Sequence, residues 1–374
     1  MEFYLHNLDD ADINEVVQVL KSPFLTTGNV TKLFEERFSE YLKVKDAVGV
    51  TSCTAALHLG ILACDIGAGD EVITTPLSFV ATSNAILHTG AKPIFVDIDE
   101  ETGNINIDLI EEKITNRTKA IIPVHLYGNL CDMKKLSGLA KKYNLKIISD
   151  CAHSLESERD GYNSAAFCDV ACYSFYATKN LTSGEGGAAA TNDEQIADRL
   201  RILRLHGMSK SAIDRYTKKY EHYDVIEIGW KYNMDNIHAA LLVNQIYRLG
   251  DLLAKRKKLY EKYINALSDI KSISFPKIEE GVKSAYHLFV IKVNDYKKRD
   301  YYLKKIQDEN IPIAVNFNPI HLMTAYRKLF GYKEGDFPAA EKFGASVITL
   351  PFYVKLSKTD INFIIEKLHK IFND

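Results

Sequence analysis

VGVTSCTAALHLGILACDIGAGDEVITTPLSFVATSNAILHTGAKPIFVDID, residues 48–99, alternates short β-rich runs with amphipathic stretches. Together with the residues just before it, this stretch predicts the strands Asp46–Val50, Glu71–Thr74 and 93–96 and the helices 55–64 and 79–88. Such alternation is typical of a mostly parallel sheet with helices on both faces. In these sheets the ligand site forms beyond the carboxyl ends of the strands. We therefore expect the chemistry in the loops that follow the strands.

The alternation continues downstream over the first two-thirds of the chain, and the pattern changes after about Asn244. Up to that point the predicted elements are the strands 120–124, Lys146–Asp150, 170–175 and Gly187–Thr191 and the helix Met133–Tyr143. A long helical pattern at 236–267, with a break expected near Gly250, then leads into a region with fewer strands. That region contains a predicted strand at 284–293 and predicted helices at 297–309 and 358–372.

These patterns predict an α/β protein of two domains, in keeping with a length of 374 residues. The large domain is assigned to 1–245 and carries a mostly parallel mixed sheet flanked by helices. The smaller α+β domain is assigned to 246–374, and the N-terminal segment could pack on it. The charge-rich stretch 216–227 is predicted to be a solvated surface loop that could also cover the site.

Composition and charge exclude several classes of function. The net charge of −2 provides no bulk positive field to hold nucleic acid or an anionic membrane. The first residues, MEFYLHNLDD, lack the pattern of a secretory signal, and no window approaches the ~18 apolar residues needed to span a bilayer. We therefore expect a cytoplasmic protein with no nucleic-acid or membrane partner.

The six cysteines show no paired CxxC spacing. Cys168 and Cys172 could mark a metal or redox site, but several of their neighbours are small or apolar. Buried free thiols in a reducing cytoplasm explain these cysteines better, and we expect no metal site.

Two segments place a carboxylate and an amine at the ends of two predicted strands. In SFYATKNLTSGEGG, Ser174–Gly187, Lys179 leaves a strand and is followed by a glycine-rich tail that would let a flat cofactor approach closely. In KIISDCAHS, Lys146–Ser154, an apolar strand ends on Asp150. Alone, such a lysine is typically a surface charge and such an aspartate a cap or turn residue. Together they suit a cofactor whose pyridinium nitrogen needs a carboxylate partner.

Two further features have equally simple structural explanations. A helix that begins near Thr54 offers free backbone N–H groups to a phosphate, although Ser and Thr are also ordinary N-caps. Phe79 follows Pro76 at a strand exit, where its ring could stack on a planar cofactor or simply pack in the core.

Taken with the rest of the chain, these segments resemble the sugar aminotransferases of the DegT/DnrJ/EryC1/StrS family, within the fold-type I pyridoxal-phosphate enzymes. The resemblance runs nearly end to end, and its blocks fall in family order. They are LTTG (25–28), TSCTAALHLG, TTPLSFVATSNAI, IIPVHLYG (121–128), SDCAH, SFYATKN, GEGG, RLHG (204–207), WKYNMDNIHAAL (230–241), SAYHLFVI (284–291), VNFNPIHL (315–322), GYKEGDFPAAE (331–341) and LPFY (350–353).

The resemblance implies how the cofactor, pyridoxal 5′-phosphate, is held. Lys179 forms a Schiff base with it, Asp150 pairs with its pyridine nitrogen, Phe79 stacks on its ring and His153 lies beside its phenolic oxygen. The phosphate positions correspond to Cys53, Thr54 and Ser174 of this chain and to Asn233 of a partner subunit. The last of these implies a homodimer with shared active sites. Family members often have glycine or alanine where this chain has Cys53.

The resemblance also implies substrate contacts. Thr27, Glu185 and either Tyr286 or His287 are candidates, with loop packing as the structural alternative. Asn316 and His321 lie in a segment where the family often carries a histidine at the position of Asn316, so the sugar contact there is expected to differ.

The implied activity is transfer of an amino group to a keto group of a UDP- or dTDP-linked keto-deoxy sugar, at C4. L-glutamate is the expected donor, the cofactor passes through pyridoxamine 5′-phosphate, and the expected pathway is bacterial surface polysaccharide or glycan biosynthesis. A sugar dehydratase of the same family typically has histidine at the position of Lys179. A regulatory protein lacks support because no basic helix-turn-helix pattern is present. A dinucleotide-dependent enzyme would carry GxGxxG where this chain has TSCTAA.

Overall fold

The computed structural model describes residues 1–209 and 222–373, so residues 216–221 of the predicted surface loop lie outside the described part. The strands in these ranges are β1 (Asp46–Val50), β2 (Glu71–Thr74), β3 (Lys92–Phe95), β4 (Thr118–Ile122), β5 (Lys146–Asp150), β6 (Glu158–Arg159), β7 (Tyr162–Asn163), β8 (Val170–Ser174), β9 (Gly187–Thr191), β10 (Ile273–Ser274), β11 (Val282–Lys283), β12 (Phe289–Val293) and β13 (Val347–Leu350). Seven of them form one sheet in the order β1-β9-β8-β5-β4-β2-β3. Only β9 runs antiparallel to its neighbours in this sheet, which confirms the mostly parallel mixed sheet.

Helices cover both faces of this sheet. The helices of the described residues are α1 (Asp10–Lys21), α2 (Asn29–Leu42), α3 (Cys53–Ala63), α4 (Ala81–His88), α5 (Met133–Tyr143), α6 (Glu194–Leu203), α7 (Asn236–Val243), α8 (Leu249–Leu267), α9 (Arg299–Asp308), α10 (Thr324–Phe330), α11 (Pro338–Ser346) and α12 (Lys358–Asn373). On β1, Val48 and Val50 pack in the cluster that contains α3, whereas Ala47 packs in the cluster that contains α2 and α7. Successive strand residues thus face opposite layers, as the pleat requires. Helix α3 is apolar all round because it is buried on nearly every side.

A second, three-stranded sheet in the order β10-β12-β13 packs with α8 and α12. The N-terminal segment contacts this region: Tyr4 belongs to the same cluster, and its ring centroid lies 6.2 Å from that of Tyr353. Arg248, just before α8, pairs with Asp9 and Asp12 at the start of α1. The domain boundary at 245/246 stays a prediction.

The predicted strand 284–293 was too long, because only Phe289–Val293 joins a sheet. The preceding residues bond instead to loops that follow strands of the large sheet. The backbone N–H of Ala285 donates to Ser157 Oγ at 3.1 Å, and that of His287 donates to the carbonyl of Tyr127 at 3.2 Å. Tyr286 between them has a φ of 46°, which turns the chain.

The predicted helix 236–267 is interrupted near Gly250, as expected, although Gly250 itself lies inside α8. The break is a 3₁₀ turn at Gln245–Arg248. The amide of Gln245 there donates to the carbonyl of Thr182 at 2.7 Å and accepts from the N–H of Thr182 at 3.3 Å. The break therefore coincides with a tertiary contact to the loop that follows β8.

The cysteines are unpaired. Cys53, Cys131, Cys151 and Cys172 are buried, whereas Cys64 and Cys168 are only partly buried, so the expectation of burial was too strong for these two. Within residues 1–209 and 222–373, no helix is long and apolar enough to cross a membrane.

Candidate active site

A cavity of about 550 Å³ opens at the edge of the large sheet where its parallel strands end. Asp150 ends β5, Ser174 ends β8 and Cys53 follows β1, and all three line the cavity. The opposite wall comes from the region of the second sheet, including Leu350 and Phe352. The site therefore lies where the strand–helix pattern predicted it.

Lys179 lies in the loop that follows β8 and lines this cavity. Its backbone is fixed on two sides: its N–H donates to the carbonyl of Tyr176 at 2.8 Å, and its carbonyl accepts from the hydroxyl of Tyr4 at 2.9 Å. Burial lowers the pKa of the Lys179 amine to about 8, against the opposing effect of Cys53 and Asp150. An amine with this pKa is substantially neutral near pH 8 and can act as a nucleophile.

Asp150 is 5% exposed and is oriented by three groups. Its carboxylate accepts from the hydroxyl of Thr82 at 2.7 Å and from the backbone N–H of Ala152 at 3.1 Å, and the thiol of Cys53 lies 3.9 Å away. Burial raises the pKa of Asp150, since the charged form is poorly solvated. A cationic group placed against it would offset that cost, which fits the predicted partner of a protonated pyridine nitrogen.

The phosphate position predicted at the start of α3 has an open backbone. The hydroxyl of Ser52 accepts from the N–H of Ala55 at 3.1 Å, while Cys53 and Thr54 are the first two residues of α3, whose N–H groups have no partner within the helix. Gly187 packs so tightly on this turn that a Cβ there would lie 2.5 Å from the backbone nitrogen of Cys53. Two free N–H groups at a helix N-terminus suit an anion.

Aromatic rings surround the remaining space. Phe79 is 60% exposed, so it is not a core residue, and its ring lines the cavity. Phe317 lies 6.0 Å from Phe79 and also 6.0 Å from His153, on which it stacks at 15°. The rings of His153 and His287 lie 4.4 Å apart. Flat groups can therefore be contacted on their faces here.

The structure brings most predicted site residues into this cavity. Its lining includes Cys53, Thr54, Phe79, Asp150, His153, Ser174, Lys179, Glu185, His287 and Asn316. Of the two alternatives, Tyr286 instead packs its ring 5.0 Å from that of Tyr260. His321 is fully buried, and its Nε2 lies 2.9 Å from Glu341. That contact gives His321 a structural role outside the cavity.

Thr27 and Asn233 also do not line this cavity. They are hydrogen-bonded to each other. The amide of Asn233 donates to the hydroxyl of Thr27 at 2.6 Å, and Lys231 bonds to Asn233 Oδ1. Because the role predicted for Asn233 is exercised in a partner subunit, it stays a prediction.

Several contacts of the site were not predicted. Thr82 holds Asp150 from α4, four residues after Ser78, whose hydroxyl lies 3.0 Å from that of Thr82. Tyr4 holds the backbone of Lys179 from the opposite end of the chain. The spacing of four residues between Ser78, before α4, and Thr82, inside it, was visible in the sequence, whereas nothing local pointed to Tyr4.

The described residues fit pyridoxal 5′-phosphate. They offer an amine of lowered pKa, a buried carboxylate of raised pKa, a helix N-terminus and the exposed ring of Phe79. Lys179 would hold the aldehyde carbon, Asp150 the ring nitrogen, and Cys53 and Thr54 the phosphate.

Comparisons with known proteins agree with this fit. The DegT/DnrJ/EryC1/StrS aminotransferase family matches residues 6–369. The spore coat polysaccharide biosynthesis protein SpsC of Bacillus subtilis is 40% identical over 365 residues, covering 96% of this chain and 94% of SpsC. The UDP-4-amino-4-deoxy-L-arabinose–oxoglutarate aminotransferase of Shewanella sediminis is 34% identical over 375 residues, covering 97% of this chain and 96% of that protein.

Among solved structures, Spr1654 of Streptococcus pneumoniae in its PMP form superposes with a TM-score of 0.93 at 33% identity, covering 100% of this chain and 99% of that one. The fold, the lining of the cavity and these matches agree from end to end. The chain therefore belongs to the DegT/DnrJ/EryC1/StrS aminotransferase family and is a pyridoxal-phosphate-dependent aminotransferase.

Proposed function

We propose that this aminotransferase moves an amino group from L-glutamate to the C4 keto group of a nucleotide-linked keto-deoxy sugar. The observation that carries the proposal is the single cavity of about 550 Å³ in which Lys179 and Asp150 meet a wall of aromatic and apolar side chains. A volume of this size accommodates a cofactor together with a sugar. The cellular role we propose is synthesis of a surface polysaccharide or glycan in the cytoplasm.

Two relatives support the choice of substrates. The name of the Shewanella sediminis protein contains a UDP-linked 4-amino-4-deoxy sugar and oxoglutarate, the keto acid that glutamate becomes when it gives up its amino group. SpsC is named for polysaccharide biosynthesis. For this chain the nucleotide, UDP or dTDP, and the position C4 belong to the proposal.

The residues of the chain divide the work. The bound cofactor supplies a carbonyl carbon that carries the amino group and a ring that takes up negative charge. Lys179, with its lowered pKa, is suited to take the proton from the donor α-carbon and to return it on the acceptor side. Asp150 keeps the ring nitrogen charged, held in place by Thr82.

The charge of the cavity supports the homodimer that we propose as the active form. Its charged lining residues in the described chain are Asp150, Glu185 and Lys179, and no arginine is among them. A dicarboxylate donor and a sugar diphosphate both need cationic partners. We propose that the partner subunit contributes to this site, including its Asn233 at the phosphate.

The test is turnover with a panel of UDP- and dTDP-linked keto sugars and L-glutamate, followed by detection of 2-oxoglutarate and of the amino sugar. The expected result is amine transfer to a 4-keto sugar. Loss of a sugar hydroxyl without amine transfer would replace the proposal by the dehydratase activity. No reaction with any keto sugar, in a protein that still exchanges amine with glutamate, would reject the sugar as substrate.

A further inference from the structure

We infer that His153 and His287 are neutral imidazoles of opposite tautomer, one a hydrogen-bond donor and the other an acceptor, in the wall of the active-site cavity. We infer further that His287 accepts a hydrogen bond from a hydroxyl or amino group of the sugar. The second statement rests on the proposed function, whereas the first does not. Both rings line the cavity, and their centroids are 4.4 Å apart.

The tautomer of His153 follows from the backbone. The N–H of Tyr127 donates to Nδ1 of His153 at 3.3 Å, and a backbone N–H can only donate. Nδ1 therefore carries a lone pair, and the proton of the neutral ring is on Nε2. Burial and the charge of Lys179 hold the pKa of His153 well below its usual value, so the ring is neutral. His153 thus has a donor to offer, which suits an anionic oxygen.

The tautomer of His287 is opposite because of Asn180. The amide nitrogen of Asn180 lies 3.0 Å from Glu156 Oε2 and 3.1 Å from the carbonyl of Ala285, and both of these oxygens accept. The amide oxygen must then face His287, whose Nδ1 lies 3.2 Å away. Nδ1 of His287 is therefore protonated, and Nε2 keeps the lone pair.

Glu156, which accepts from Asn180, is buried and interacts electrostatically with the buried Arg256. Arg256 is fully buried, and its guanidinium nitrogens have no hydrogen-bond partner among the described residues. Burial raises the pKa of Glu156 to about 6, and Arg256 and the bond from Asn180 oppose that rise. At neutral pH Glu156 is therefore ionised and can only accept. It lies in the same network as His287, whose pKa is held well below its usual value, by burial above all.

The consequence is selectivity for the chemical group that meets His287. A neutral acceptor accommodates a hydroxyl or an amine, whereas a carboxylate or a keto oxygen at the same point would meet a lone pair. The neighbouring Nε2–H of His153 donates, so it favours an acceptor such as a carboxylate or keto oxygen. The two rings therefore favour a ligand that presents an acceptor to one and a donor to the other.

The tautomers are tested by nitrogen NMR of the holoenzyme labelled with ¹⁵N-histidine, without sugar. Signals are assigned from their loss in His153→Gln, His287→Gln and His125→Gln. His125 is the internal reference, because its Nδ1 accepts from the N–H of Cys131 at 3.2 Å. We expect the proton on Nε2 in His125 and His153 and on Nδ1 in His287. A proton on Nε2 of His287, or a charged ring, would overturn the inference.

The acceptor role of His287 is tested by steady-state kinetics of two variants. His287→Asn keeps a donor toward Asn180 but removes the acceptor from the cavity, and we expect KM for the sugar to rise about tenfold. His287→Gln can place its carbonyl where Nε2 was and should restore most of the loss. KM for glutamate should change little in both. An unchanged KM for the sugar in His287→Asn would refute the contact between His287 and the sugar. The NMR test of the tautomers does not depend on whether the substrate is a sugar.

Discussion

The two walls of the cavity are built differently. The wall from the large sheet is polar, and its groups leave the ends of regular strands: Asp150 ends β5 and Lys179 follows β8. The facing wall is mostly apolar and comes from irregular chain at 287–288 and 316–317, from Phe352, and from Leu350 at the end of β13. Its position depends on hydrogen bonds across long sequence distances, such as that from the hydroxyl of Tyr127 to the carbonyl of Asn316. We therefore expect the chemistry on the wall from the large sheet and substrate selection on the facing wall.

The largest expected effect is at Lys179, on the wall from the large sheet. If Lys179 were dispensable, the distinction between the two walls would be lost. Lys179→Ala should lower kcat by about a thousandfold or more, because both the covalent attachment and the proton transfer are lost. The purified variant should also lose the visible absorption of the bound cofactor. Lys142→Ala, an exposed lysine paired with Glu111, is the matched control and should leave kcat unchanged. Comparable kcat in the two variants would contradict this role.

The next largest effect is expected at the carboxylate. Asp150→Asn removes the charge opposite the ring nitrogen and should lower kcat by about a hundredfold. Thr82→Val, which removes one hydrogen bond to the Asp150 carboxylate, should lower kcat about tenfold. The control for the second variant is Thr74→Val, since the hydroxyl of Thr74 is also buried and bonds to the carbonyl of Ile122 at 2.9 Å within the sheet. If Thr82→Val and Thr74→Val had equal kcat, Thr82 would not position Asp150.

On the apolar wall the expected change is in substrate affinity and not in kcat. Phe317→Ala should raise KM for the sugar about tenfold, because an aromatic face of the cavity that we expect to pack on the sugar is lost. The visible spectrum of the bound cofactor should stay the same. Phe167→Ala, a half-exposed aromatic residue outside this cavity, should leave both unchanged. A loss of kcat at constant KM in Phe317→Ala would place Phe317 in the chemistry and remove the distinction between the walls.

The smallest predicted effect concerns stability, at the buried carboxyl group of Glu156. The folded-state pKa of Glu156, about 6, is above its model-compound value of 4.5. Its stabilising contribution is therefore complete below pH 4.5 and is lost as the pH rises through about 6. The loss amounts to about 2 kcal/mol. Urea unfolding at several pH values should show this slope as the difference between the wild type and Glu156→Gln. A difference independent of pH would contradict the raised pKa.

The contrast between the walls also explains what the sequence could predict. Strand–helix alternation and the residues at strand ends are local signals, so the sheet and the positions of Asp150 and Lys179 followed from them. Thr82 meets Asp150 across 68 residues, and Asn180 meets His287 across 107, distances over which a single sequence carries no signal. The choice between Tyr286 and His287 depended on a turn where a continuous strand was predicted.

The central claim is that Lys179 carries the cofactor in the cavity with Asp150. Its most direct test is borohydride reduction of the purified holoenzyme, followed by digestion and mass spectrometry of the modified peptide. We predict a pyridoxyl-phosphate group on Lys179 and on no other lysine. Reduction that labels a different lysine, or a protein that binds no added cofactor, would contradict it.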